Sequence, residues 1–258
     1  MDLETSVVQA LATNESAGLV MDFDGVLSRI TDDPDASELL DGTEEILRSL
    51  ATKLSVVALL SGRPAGFLAA RATIPGVELY GSYGLEHLTD HGIEVVPEAR
   101  QWMTAVEDAT AVLHRELDGV EGVYVEDKSL AVAVHWRRAP DRDVATKLVT
   151  PLLQEVIDTH ALRREPGKFV EELRMPLQQD KGTALRRIIS TWRLQTVAYA
   201  GDDRGDLPAF DVTTSAGGYT LVVDGPDMAP DVSRLPGAHF DGPEKLQSWL
   251  QRLDNAIQ

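Results

Sequence analysis

The 258-residue sequence contains no cysteine. Disulfides and thiolate metal centres are excluded, so any metal has to be held by oxygen or histidine. Positive charge is scarce: 24 Lys and Arg face 42 Asp and Glu, a formal net charge of −18. Such a chain repels nucleic acid and anionic membrane as a whole, and phosphorylated small molecules at long range. An anionic substrate would need a local positive field, made by a cation and a few placed Lys or Arg. No apolar run reaches the roughly 18 residues of a membrane span. The opening stretch MDLETSVVQALATNES is acidic and has no basic start of a secretion signal. A cytoplasmic protein without nucleic-acid or membrane partners is expected. No spare apolar patch stands out, so a monomer is expected.

What is present alternates between two periods. "SAGLVMDFDG" and "LSVVALLSGR" are short apolar runs ending in polar turns, the pattern of buried strands. Between them "ASELLDGTEEILRSLATK" has helical spacing at Leu39, Leu40, Ile46, Leu47 and Leu50, and "PAGFLAARAT" is a helix opened by proline. "GVELYGSYG" is a third strand, and this order predicts a parallel sheet. The middle changes character. "EHLTDHGIEVV" reads as a hairpin, "PEARQWMTAVEDATAVLHREL" as one long helix, and "GVYVEDKSLAVAVHWR" as two strands. A second helix, disturbed at Pro151, and a hairpin turning at Pro166-Gly167 follow. The α/β pattern then returns with "QDKGTALRRIISTWRL", "TVAYAGDD", "GYTLVVDG" and a closing helix. The expected organisation is an α/β core, residues 1–84 and 176–258, interrupted by an α+β insert, residues 85–175.

Ligands of open parallel sheets bind at the carboxyl ends of the strands. Three core strands end in Asp22-Phe23-Asp24-Gly25, Ser61-Gly62-Arg63 and Gly201-Asp202-Asp203, and the helix before the last opens with Lys181. Each has an ordinary reading as a turn, a surface lysine or a helix cap. Together they put several carboxylates at one sheet edge, which calls for a cation, and oxygen ligands without thiolate point to Mg²⁺.

The motif order DFDGVL, SGR, GSYGLE, AVHWR, GKFVEELR, DKG and GDDRGDLPAF resembles that of trehalose-6-phosphate phosphatases, within the haloacid-dehalogenase superfamily. The resemblance covers nearly the whole chain. Two departures stand out: Val26 replaces the usual threonine, and Arg204-Gly205-Asp206-Leu207-Pro208 replaces the usual TDED segment, which puts the role of Asp206 in doubt.

The resemblance implies a Rossmann-like parallel-sheet core with an inserted α+β cap, an antiparallel sheet with two helices. It implies a Mg²⁺-dependent phosphatase for a sugar phosphate. Asp22 would attack phosphorus, with its pKa held down by Mg²⁺ and Lys181, and Asp24 would act as acid and then base. Mg²⁺ would be held by the Asp22 side chain, the Asp24 backbone carbonyl and Asp202, with Asp203 and Asp206 further out. Ser61 and Gly62 would cradle the phosphoryl oxygens with help from Arg63. Glu86, Arg137, Lys168 and Glu172 would contact the sugar.

In the insert, strand alternation gives one apolar face and one small, polar face, which suits a lid for a hydroxyl-rich ligand and equally a solvated sheet. Linkers near Leu85 and Met175-Pro176 would let it hinge. Three functions remain in play at this level. The substrate is trehalose 6-phosphate, or it is a related sugar phosphate such as sucrose phosphate, a glycosyl phosphoglycerate or a trehalose-like pseudo-disaccharide phosphate. The third is a non-catalytic binding domain, against which the retained Asp22, Asp24, Ser61, Lys181 and Asp202 argue.

Overall fold

The computed structural model describes residues 2–31, 36–225 and 228–257. The first part of the chain forms α1 (Leu3–Thr13), β1 (Ala17–Met21), α2 (Thr43–Ala51), β2 (Val56–Leu60), α3 (Ala65–Ala72), β3 (Val77–Gly81), β4 (Glu86–Thr89) and β5 (Gly92–Val95). The middle forms α4 (Pro97–Arg100), α5 (Met103–Leu117), β6 (Tyr124–Asp127), β7 (Ala131–His135), α6 (Arg142–His160), β8 (Arg163–Gly167) and β9 (Val170–Arg174). The last part forms α7 (Lys181–Trp192), β10 (Thr196–Gly201), α8 (Leu207–Ser215), β11 (Tyr219–Asp224), β12 (Ala238–Asp241) and α9 (Pro243–Ala256).

The larger unit comprises residues 1–94 and 179–258. Its eight-stranded sheet has the order β12-β11-β10-β1-β2-β3-β4-β5, parallel from β12 to β3 and antiparallel from β3 to β4. β1 is buried along its whole length because both faces are covered. Leu19 and Met21 share one cluster with Leu11, Leu47 and Trp249, while Val20 joins Leu185 and Phe210 in another. The chain leaves β1 towards β2 and returns through β10 on its other side. The gap between β1 and β10 is thus the switch point at which such sheets bind ligands.

The smaller unit, residues 95–178, carries a four-stranded antiparallel sheet of order β6-β7-β9-β8. Its core is built from Val132, Val134 and Leu173 of the sheet with Val106 and Leu113 of α5 and Val149 and Leu153 of α6.

Four local expectations are corrected. The hairpin β4–β5 extends the large sheet, because Tyr80 pairs with His87 and Gly81 with Glu86. The compact units therefore divide at 94/95 and 178/179 instead of 84/85 and 175/176. α2 begins at Thr43, because Gly42 at φ +82° breaks the helical run after Leu39 and Leu40. α6 runs on through Pro151. The last insert hairpin turns at Lys168-Phe169, with Gly167 paired to Val170. Among the described residues no helix is long and apolar enough to cross a membrane.

Candidate active site

Asp22 immediately follows β1, and its backbone N–H bonds Ala200 O of β10 at 2.9 Å. The chain then turns tightly, with the N–H groups of Leu27 and Ser28 both donating to Phe23 O. Gly25 sits at φ +74°, and a Cβ there would lie 2.2 Å from Asp202 Oδ2. Only glycine lets this turn approach the end of β10 so closely.

Lys181 is the first residue of α7, whose amino end is capped by Asp180. Its ammonium lies 2.6 Å from Asp22 Oδ2 and 2.6 Å from Asp206 Oδ1, with 3% of the residue exposed. Asp206 is fully buried. Besides Lys181 it accepts from the Tyr199 hydroxyl at 2.5 Å and from the N–H groups of Asp202 (2.9 Å) and Asp203 (3.1 Å). Four donors fill the ordinary capacity of a carboxylate. Asp206 thus braces Lys181 and the 202–203 turn, so the altered segment after Asp203 keeps a structural centre. Asp203 is exposed and accepts from Gly205 N–H at 2.7 Å.

Among the described residues Asp22, Asp202 and Asp206 are the one group of three acids whose oxygens lie within 4.8 Å of one another. Burial pushes the Asp22 carboxyl up to about 7, although Lys181 pulls the other way. Burial, then Asp22 and Asp206, push Asp202 up to about 8. Burial alone would lower the Lys181 ammonium, but Asp206 and Asp22 outweigh it and raise it well above its ordinary value. Asp206 goes the opposite way: burial opposes ionisation, yet Lys181 and the Lys181 and Tyr199 hydrogen bonds hold it below the usual carboxylate range. Lys181 pulls the Asp22 carboxyl down in the expected direction, but burial outweighs the lysine alone. One ammonium among three acids leaves a site short of positive charge, lined by hard oxygen donors. That donor set fits a divalent cation such as Mg²⁺.

Ser61 is buried at the end of β2, its hydroxyl accepting from Arg63 N–H at 3.2 Å. Gly62 packs beneath Tyr83, whose ring carbon Cζ a Cβ would meet at 2.8 Å. Arg63 was expected at the phosphoryl oxygens, but its guanidinium binds Asp24, through Nε to Oδ2 at 2.7 Å and Nη2 to Oδ1 at 3.1 Å.

The four residues expected at the sugar are divided between the two units. Glu86 belongs to the larger unit and is 2% exposed. Its carboxylate accepts from Ala65 N–H at 2.7 Å, at the start of α3, and from the Ser82 hydroxyl at 2.9 Å. In the smaller unit Arg137 and Lys168 are exposed and adjacent, Arg137 Nη2 donating to Lys168 O at 3.3 Å. Glu172 accepts from Lys128 Nζ at 2.7 Å, and Arg174 lies 3.6 Å away. The sequence reading missed Tyr199. Its signal was a single hydroxyl-bearing side chain in the otherwise apolar "VAYAG".

The strand order and the carboxylate–ammonium cluster between β1 and β10 define a protein of the haloacid-dehalogenase superfamily. A family model described as trehalose-phosphatase matches residues 20–231. The trehalose-phosphate phosphatase of Mycobacterium tuberculosis (strain ATCC 25618 / H37Rv) is 34% identical over 252 residues, covering 92% of this chain but 61% of that protein. The crystal structure of a trehalose-6-phosphate phosphatase related protein matches with TM-score 0.74 at 19% identity, covering 92% of this chain and 97% of the other. The C-terminal domain of trehalose-6-phosphate phosphatase from C. albicans matches with TM-score 0.73 at 21% identity, covering 98% and 96%. These two structures bear on the fold alone. The chain belongs to the trehalose-phosphatase family.

Proposed function

We propose that this chain is a Mg²⁺-dependent phosphatase that hydrolyses trehalose 6-phosphate to trehalose and phosphate. The observation that carries the reading is the ammonium of Lys181 shared at 2.6 Å between Asp22 and Asp206. A buried carboxylate beside a fixed positive charge at the switch point of the sheet supports Asp22 as the nucleophile.

Asp22 Oδ attacks phosphorus, the bond from phosphorus to the sugar oxygen breaks, and an aspartyl-phosphate forms. Asp24 gives a proton to the departing sugar oxygen. Asp24 then accepts a proton from the water that attacks the aspartyl-phosphate, which frees phosphate and restores Asp22. The Ser61 hydroxyl and N–H groups around Gly62 bind phosphoryl oxygens, and Lys181 offsets their charge. Asp22, Asp202 and the Asp24 carbonyl would hold the magnesium ion, with Asp203 and Asp206 behind them. When bound, the ion supplies the positive charge that ionises buried Asp22 and neutralises the transferring group. Arg137, Lys168 and Glu172 are proposed contacts of the sugar. For Glu86 the two bonds to Ala65 and Ser82 favour a bracing role.

The test is phosphate release from trehalose 6-phosphate beside glucose 6-phosphate and sucrose 6-phosphate, with Mg²⁺ and with EDTA. Release from the first alone, abolished by EDTA, is expected. Mg²⁺-dependent release from another sugar phosphate instead would move the substrate to a related compound. Release from none of them would favour a binding domain.

A further inference from the structure

Asp24 is held by more than its ion pair. The Ser37 hydroxyl donates to Asp24 Oδ1 at 2.7 Å, and Ser37 is 1% exposed. The serine is fixed from several sides. Ser28 bridges to both Asp24 and Leu39, and Leu40 N–H donates to Leu27 O at 3.0 Å, so the segment around 37–40 lies against the 24–28 turn. Arg71 Nε donates to Ser37 O at 2.9 Å. Arg71 and Arg63 each set a guanidinium carbon over the Phe67 ring, at 3.7 and 4.5 Å. Phe67 in turn meets Phe23 edge-on at 6.1 Å. One aromatic ring therefore holds two arginines, of which one grips Asp24 and the other grips the serine that grips Asp24.

We infer that Ser37, held by Arg71, is a positioning residue for Asp24, fixing which carboxylate oxygen faces the departing sugar oxygen. The inference rests on the reading of Asp24 as proton donor. Arg63 alone binds Asp24 side-on, and that contact leaves the carboxylate free to tilt about its pair. The Ser37 bond adds a second direction of restraint on Oδ1, and two directions fix a plane. Proton transfer depends steeply on such alignment. Ser37 touches no substrate in this account and acts through Asp24.

The experiment compares two leaving groups. A sugar alkoxide cannot depart without a proton, whereas p-nitrophenolate can. Kinetics are measured for Ser37→Ala, Arg71→Gln and Asp24→Asn on the sugar phosphate turned over fastest in the panel above and on p-nitrophenyl phosphate. Asp24→Asn is expected to lower kcat/KM, which reports only the half-reaction that expels the leaving group, by ~10²–10⁴-fold on the sugar phosphate and to spare it on the aryl substrate, while loss of the base slows the second half-reaction on both. Ser37→Ala should show the same split in kcat/KM at about 10-fold or more, and Arg71→Gln a smaller version of it. If Asp24→Asn splits the substrates in kcat/KM but Ser37→Ala and Arg71→Gln lower it alike on both, or on neither, the positioning role is overturned. If Asp24→Asn lowers kcat/KM alike on both substrates, Asp24 is not the proton donor, and the inference falls with that reading. Should Ser37→Ala fail to fold, Arg71→Gln decides alone.

Discussion

The Lys181 ammonium bridges Asp22 and Asp206 at 2.6 Å on each side, with both carboxylates and the ammonium buried. The two acids respond differently to one cation. Asp206 also receives a phenol and two backbone N–H groups and is held ionised, while Asp22 receives one N–H, from Phe23 at 2.7 Å, and is pushed up to about 7. Asp206 is thus the acid whose hydrogen bonds are complete, and Asp22 the one that depends on added positive charge.

Removing the bridge should damage stability. Lys181→Met leaves two buried carboxylates without their ammonium, so unfolding free energy should fall by roughly 3–5 kcal/mol. Urea denaturation measures it, and Lys181→Met combined with Asp206→Asn should recover part of the loss. A fall of under about 1 kcal/mol would mean that water reaches the pair.

Metal-free protein should lose stability as pH rises. Asp22 and Asp202 bind protons up to about 7 and 8 in the folded state, well above the 3.8 of an ordinary aspartate. Between about pH 4 and 8 the folded state therefore holds more protons than the unfolded one, and the slope of stability with pH is negative. Mg²⁺ competes for the same oxygens, so its thermal stabilisation should be larger at pH 8.5 than at pH 5.5. Thermal unfolding with Mg²⁺ and with EDTA at the two pH values reads this out, and an equal shift at both would contradict the site.

Gly25→Ala should impair the site from the backbone. The substitution meets both a left-handed φ of +74° and Asp202 Oδ2 at 2.2 Å. A stability cost of about 1–2 kcal/mol for the dihedral is expected, together with weaker Mg²⁺ stabilisation as Asp202 is displaced. Unchanged Mg²⁺ response would show that Asp202 can move without loss of the cation.

The core strands and the meeting of Asp22, Lys181 and Asp202 were legible because each strand is a short apolar run that stops at a polar turn. Parallel topology then leaves one edge for the polar ends. The hairpin β4–β5 was assigned to the insert because period and turn chemistry name a hairpin without naming the sheet it joins. That is decided by pairing with β3, a tertiary choice. β12, with four residues, was too short to register. Glu86, Arg63 and Ser37 show the limit for site chemistry. A glutamate in a motif reads as a ligand contact, an arginine after a strand as an anion grip, and a serine in a loop as nothing. Their hydrogen bonds to Ala65, Asp24 and Asp24 again depend on loops that meet only in the fold.

The proposed mechanism stands on Asp22 as the residue that carries the phosphoryl group. The most direct measurement is a rapid acid quench during turnover of trehalose 6-phosphate with Mg²⁺, followed by peptide mass mapping, for the native chain and for folded Asp22→Asn. One phosphoryl group is expected on the peptide containing Asp22 in the native chain. None is expected in Asp22→Asn, with turnover lowered by at least ~10³-fold. Full turnover by Asp22→Asn, or a phosphoryl group on another residue, would contradict the mechanism.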